Sequence, residues 1–124
     1  MEHPHEAILA KGGAILMATY NGAVAGTAAL IKVNNDEYEL AKMAVDEAFQ
    51  RKGIGEALSY AAFQKAKERG AKKVSLYSQT SLAPAINLYR KLGFVEVPLG
   101  NHLYKRANIK MEIALDKLSS SVHA

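Results

Sequence analysis

The chain has 124 residues, a formal net charge of +4 and no cysteine. That length suits one domain burying roughly two-thirds of the surface its unfolded chain would expose. The missing cysteines exclude a disulfide framework, a thiolate nucleophile and zinc-finger spacing. The longest apolar run, Val24 to Ile31, is far too short to span a bilayer, so no membrane partner is expected. With no recognisable signal peptide, the expected location is cytoplasmic. Lys72–Lys73 and Lys105–Arg106 are basic pairs and not tracts, which fits a basic surface or an anionic ligand better than a nucleic acid.

The opening residues hold His3 and His5, then a short helical-looking piece ending before Gly12. An HxH pair at a chain end with no third ligand nearby reads as solvated, so no metal is expected. Ala14 to Tyr20 and Ala23 to Lys32 read as antiparallel strands joined at Asn21-Gly22, the favoured dipeptide of a tight hairpin turn. Val33 to Asp36 reads as a turn and Glu37 to Val45 as a third strand. Strict alternation along it puts Tyr38, Leu40, Lys42 and Ala44 on one face and Glu39, Ala41, Met43 and Val45 on the other.

From Gly55 the period becomes helical, with Ile54, Leu58, Ala61, Ala62 and Ala66 on the apolar stripe, Ser59 on the polar one, and Gly70 as the stop. Lys73 to Ser78 reads as a strand, giving a right-handed βαβ crossover with parallel strands. Pro84 opens a second helix striped by Ala85, Leu88, Tyr89 and Leu92 and closed by Gly93. Phe94 to Val97 and Ile109 to Leu115 read as strands around a loop, Pro98 to Asn108, for about six strands and two helices. The domain is assigned to residues 1–118, with 119–124 as a frayed tail.

The stretch Ala44 to Gly55, AVDEAFQRKGIG, organises this plan. Gly53 and Gly55 allow close approach to the main chain. They stand where a helix begins and its first N–H groups lack partners, beside the cations Arg51 and Lys52. Such a loop suits a phosphate, although its glycines could equally serve the turn alone.

Two motifs occur in order: QRKGIG at Gln50 to Gly55 and NLYRKLGF at Asn87 to Phe94. Together they resemble the GNAT superfamily of N-acetyltransferases, whose loop after the fourth strand reads Gln/Arg-x-x-Gly-x-Gly/Ala and whose later helix carries a Leu-Tyr step before Gly-Phe. The matches are Gln50, Gly53, Gly55, Leu88, Tyr89, Gly93 and Phe94, and the resemblance runs from about Gly12 to Leu115. It implies an α+β acyl-CoA N-acyltransferase fold, a mixed, mostly antiparallel sheet of about six strands with helices on both faces.

The resemblance also implies transfer of the acetyl group of acetyl-CoA to a primary amine of a small molecule or protein, by direct attack in a ternary complex. The cofactor-binding residues would be Met43, Ala44 and Val45, whose main chain would pair with the pantetheine arm. Gln50, Arg51, Lys52, Gly53, Ile54, Gly55 and Glu56 would hold the pyrophosphate. Tyr89 matches the family's general acid. Glu39 is the carboxylate the third strand offers as base, or a glutamate in a sheet-edge salt bridge. An N–H near Val45 would hold the oxyanion.

Two departures accompany the match. Leu82 stands where many relatives carry an asparagine that contacts the pantetheine. Relatives also usually have some thirty or more residues before the hairpin, walling one side of the acceptor site. The chain would then be a natural short form, a truncated one, or one whose site a partner chain completes. A homodimer would cover the sheet edge so exposed. The competing classes are a CoA-binding or regulatory module without turnover, and a nucleic-acid binder. The latter is disfavoured because no paired aromatics or basic stripe are available for bases. His102, Tyr104, Arg106 and Asn108 are expected to border the acceptor.

Overall fold

A computed structural model describes residues 12–50, 52–99 and 107–115. Arg51, His3, His5, His102, Tyr104, Arg106 and the tail at 119–124 lie outside the described residues, as does the helical piece expected before Gly12.

Six strands form one sheet: β1 (Ala14–Tyr20), β2 (Ala23–Lys32), β3 (Glu37–Val45), β4 (Lys73–Ser78), β5 (Val95–Val97) and β6 (Ile109–Ala114), in the order β1-β2-β3-β4-β6-β5. Two α-helices accompany it, α1 (Ile54–Glu68) and α2 (Ala83–Leu92). Only β3 and β4 pair in parallel, as the crossover through α1 requires. The β1–β2 turn has Asn21 at φ 52° and Gly22 at φ 85°, the left-handed pair that suits the twist of a two-residue hairpin.

The helices sit together on one face. Leu88 of α2 approaches Gly55 of α1, Lys91 pairs with Glu56 at 3.5 Å, and the Phe63 and Phe94 rings lie 5.6 Å apart. Two right-handed crossovers stepping the same way across a sheet must fall on the same side. The described helices therefore cover one face, and a helix on the other would have to come from residues outside those described. Beneath α1 and α2 lies one apolar core containing Leu30, Tyr38, Leu40, Leu58, Phe63, Leu76 and Met111. Full burial of each such side chain contributes roughly 1.5–3 kcal/mol. The opposite face is polar around β3, β4 and β6. There the Ser75 hydroxyl donates to Glu37 at 2.6 Å, and Lys73 bridges Glu37 at 3.8 Å and Glu112 at 3.2 Å.

Two expectations change. Ser59 is fully buried on α1, donating to Gly55 O at 2.8 Å, with Phe63 beside it in the core and Ala61 exposed. A serine whose hydroxyl returns to its own helix carries no unsatisfied group inward, so polarity alone misplaced it. Between β3 and α1 the chain makes a single 3-10 turn, Glu47–Phe49, capped by Asp46 accepting from Ala48 N–H at 2.9 Å.

The second change concerns β3. Thr27 pairs with Ala44 while Ala29 pairs with Ala41, so Lys42 and Met43 together oppose Ala28. This β-bulge, with Lys42 at φ 53°, shifts the alternation by one residue. Met43 and Val45 therefore join Tyr38 and Leu40 against the core, and Glu39 and Met43 do not share a face.

Gly26 shows how tightly the bulged region is packed. A Cβ there would meet Ala44 O at 2.9 Å, Leu58 Cδ1 at 3.0 Å and Ile54 Cγ2 at 3.1 Å. We expect Gly26→Val to lose about 2 kcal/mol of unfolding free energy or more through overpacking, a loss that urea titration would read.

Candidate active site

The site arises because β3 and β4 part company. Their parallel ladder joins only Glu37–Glu39 to Lys73–Ser75. Beyond it the strands diverge around a cleft of about 710 Å³. One wall is Glu39 to Met43 of β3 and the other is Leu76 to Ser78 of β4, with Leu82 just before α2 and Ala85 and Tyr89 of α2 closing it. On its far side β3 keeps its pairing with β2 as far as Val45. Its cleft side has no strand alongside from Leu40 to Val45 among the described residues, leaving an edge that another extended chain can match.

At the end of that edge the chain turns into α1. Gly53, the residue before the helix, has φ 77° and no side chain caps the N-terminus. The first-turn N–H groups of Ile54, Gly55 and Glu56 thus face outward at the positive end of a 15-residue helix. A Cβ on Gly53 would meet nothing within 4 Å, so the space in front of this turn is open. The Gln50 N–H turns instead toward Glu47 O at 3.4 Å. Lys52 holds its ammonium 5.3 Å from the centre of the Tyr20 ring, a cation–π contact that keeps the charge beside the turn. Glu56 pairs with Lys91, which offsets a carboxylate otherwise facing any anion bound there.

Ser59 links the two halves. Its hydroxyl lies 3.8 Å from Met43 Sδ and one turn from the helix start, connecting the β3 edge to the α1 N-terminus.

Tyr89 stands across the cleft. Gly93, at φ 110°, turns the chain so that Phe94 N–H donates to Tyr89 O at 3.0 Å. The Phe94 ring then packs edge-on to Tyr89 with centroids 5.7 Å apart. Burial pushes the Tyr89 phenol above its ordinary value of 10, so it keeps its proton at neutral pH. Glu39 faces the cleft from the other side of β3 with no hydrogen bond or ion pair among the described residues. Burial first, then the neighbouring Glu37 carboxylate, raise its pKa, and Lys110 pulls it partly back. Both shifts follow from half-buried positions in a cleft.

The cleft thus gathers Glu39, Met43 and Tyr89, with the Gly53–Glu56 turn beyond its mouth. Ala44 and Val45 continue the open edge toward that turn. Asn108 is spent on structure, accepting from Thr80 N–H at 2.9 Å through its side chain and donating its own N–H to Ser78 O at 2.9 Å. Lys42 lines the cleft although sequence reasoning gave it no role, because no residue pattern announced the bulge that carries it. Among the described residues no three His, Asp or Glu side chains gather as a metal site, and no helix is long and apolar enough to cross a membrane.

Residues 2–94 match the acetyltransferase (GNAT) family, and the chain belongs to it. It is 48% identical over 63 residues to an N-alpha-acetyltransferase of Sulfurisphaera tokodaii, covering 50% of this chain and 38% of that protein. The fold is similar to a GNAT-family acetyltransferase from Staphylococcus aureus Mu50, with TM-score 0.81 and 26% identity over 90% of this chain and 73% of the other. It is also similar to a GNAT acetyltransferase from Elizabethkingia anophelis with acetyl-CoA bound, with TM-score 0.75 and 25% identity over 88% of this chain and 80% of that one. The chain spans 38%, 46% and 57% of the lengths of three curated relatives it matches.

Gly53→Ala places a side chain in the left-handed region without any clash. We expect a loss of about 1 kcal/mol in thermal or chemical unfolding, with the far-UV spectrum unchanged.

Proposed function

We propose that the protein transfers the acetyl group of acetyl-CoA to a primary amine. The observation that carries this reading is the cleft between diverging β3 and β4, open along one strand edge and ending at an uncapped helix N-terminus. An extended pantetheine arm matches the edge from Met43 to Val45 by main-chain pairing, and a pyrophosphate matches the N–H groups of Gly53 to Glu56 with Lys52 beside them. The family membership and the acetyl-CoA held by the E. anophelis relative support the same assignment.

The residues then divide the proton work. Glu39 takes a proton from the acceptor ammonium, and its raised pKa makes it a better base than a free glutamate. The neutral amine nitrogen attacks the thioester carbonyl carbon, the C–S bond breaks, the Tyr89 hydroxyl gives its proton to the departing thiolate, and the second proton lost by the nitrogen returns the tyrosinate to phenol, directly or through water. A phenol held protonated by burial suits that step. A main-chain N–H of the bulged end of β3, near Val45, holds the oxyanion. The amide product and free CoA then leave.

Arg51 joins Lys52 in this reading as a second cation for the phosphates. A homodimer would pair along β1, an edge of the sheet. A second reading, a CoA-binding module with little turnover, draws on Leu82. That side chain is half exposed at the start of α2 and lines the cleft where an amide would anchor the arm by hydrogen bonding. CoA binding without thiol release across an amine panel would decide for it.

Two substitutions test the roles. Tyr89→Phe is expected to lower kcat about a hundredfold while leaving CoA affinity, read by thiol release and calorimetry; unchanged turnover sinks the assignment. The Glu39 carboxyl must be ionised to act, so activity should fall as pH drops through a pKa above the ordinary glutamate value of 4.5. Glu39→Gln should abolish that acid limb and lower kcat/KM about a hundredfold; an intact limb would show that another group is the base.

A further inference from the structure

We infer that Lys42 is the residue that selects the acceptor, and that the acceptor is a small amine carrying its own carboxylate, an amino acid. This rests on the acetyl-transfer reading above and adds the substrate class to it.

The starting observation is conformational. Lys42 has φ 53°, and it and Asn21 are the described non-glycine residues with positive φ. Asn21 belongs to a two-residue hairpin, where asparagine enters the left-handed region readily. Lysine has no such local compensation, and glycine would take the same conformation without a steric cost. A long cationic side chain kept in an unfavourable backbone state, at the bulge that bends β3 beside the cleft, points to a use for the side chain itself.

Charge gives the second observation. Lys42 is exposed, lines the cleft and has no ion pair or hydrogen bond among the described residues. Nearby ionic groups of the sheet are already engaged: Glu37 by Ser75 and Lys73, Lys110 by Glu112 and the Tyr77 ring. Glu39, also on the cleft wall, is likewise without a hydrogen bond or ion pair there. Among the described residues the cleft therefore presents one carboxylate and one ammonium without a hydrogen bond or ion pair of their own, three residues apart on one strand. Their Cα atoms are separated by about 10 Å at most, less across a bulge, and both residues line the cleft. An α-amino acid fits this pair with its ammonium at Glu39 and its carboxylate at Lys42. The phosphates of an acyl donor would be held at Gly53 to Glu56, beyond the end of β3, so they do not compete for the lysine.

The test compares the twenty amino acids with their carboxamides, pair by pair, as acceptors for the full chain with acetyl-CoA. In parallel, binding of the same compounds to the CoA-loaded protein is followed by NMR. The free acid of the preferred side chain should exceed its amide by about tenfold or more in kcat/KM and in affinity, the scale of one charge-assisted contact. Lys42→Gln should bring acid and amide within about twofold while the KM for acetyl-CoA holds, and Lys42→Arg should restore the preference. Equal use of acid and amide by the native chain, an undiminished preference in Lys42→Gln, or a raised acetyl-CoA KM in that variant would each overturn the inference. A protein that releases no thiol with any amine defeats the acetyl-transfer reading alone. The binding comparison then still decides the role of Lys42, and absent or carboxylate-blind binding overturns it.

Discussion

Everything at the site depends on how far two parallel strands stay together. β3 and β4 share a three-residue ladder and then separate, and the bulge at Lys42 and Met43 lies just beyond the end of that ladder. Had the ladder continued, the main-chain groups of β3 would be consumed by β4 and the cleft would be filled. The separation costs several inter-strand hydrogen bonds, each worth about 1 kcal/mol net. Packing of the bulged segment offsets that loss: Met43 and Val45 turn onto the core, and β2 approaches closely enough at Gly26 to leave no space for a methyl group. The opening is therefore held by the hydrophobic core beneath it and not by the groups that line it.

The two ends of the cleft work by different physics. At the helix start, an anion would meet N–H dipoles and Lys52 in an open, solvated place. At the Glu39 and Tyr89 end, half-burial moves both pKa values upward. In the proposed roles this would make the carboxyl a stronger base and the phenol a more secure proton store. One influence, the loss of water around each group, thus serves opposite roles because the charged form is the base in one case and the spent acid in the other.

Much of this was legible in the residues. Asn21-Gly22 fixed a hairpin, Gly70 and Gly93 fixed helix ends, and the strand–helix–strand order from Glu37 to Ser78 placed a parallel crossover correctly. Element bounds came within a residue or two. What the chain did not announce were features that exist only between elements. The bulge follows from β2 and β3 pairing out of step, which no period in β3 alone reveals, and strict alternation therefore put Glu39 and Met43 on one face when they lie on two. Ser59 looked polar because its bond to Gly55 O is local and invisible until the helix forms. Lys42 had no motif at all, and its interest comes from a backbone angle.

The aromatic contacts around Tyr89 have a consequence in ionic strength. Its ring is gripped by Phe94, which in turn packs on Phe63, so its orientation is set by apolar surfaces and not by a salt bridge. Dissolved salt screens exposed charges over a distance of about 8–10 Å in physiological buffers, but leaves such packing untouched. In the proposed reaction Tyr89 would then stay aligned in brines that would weaken anion binding at the helix start. Under the proposed roles, salt would loosen the hold on a phosphate without disturbing the orientation of the Tyr89 ring.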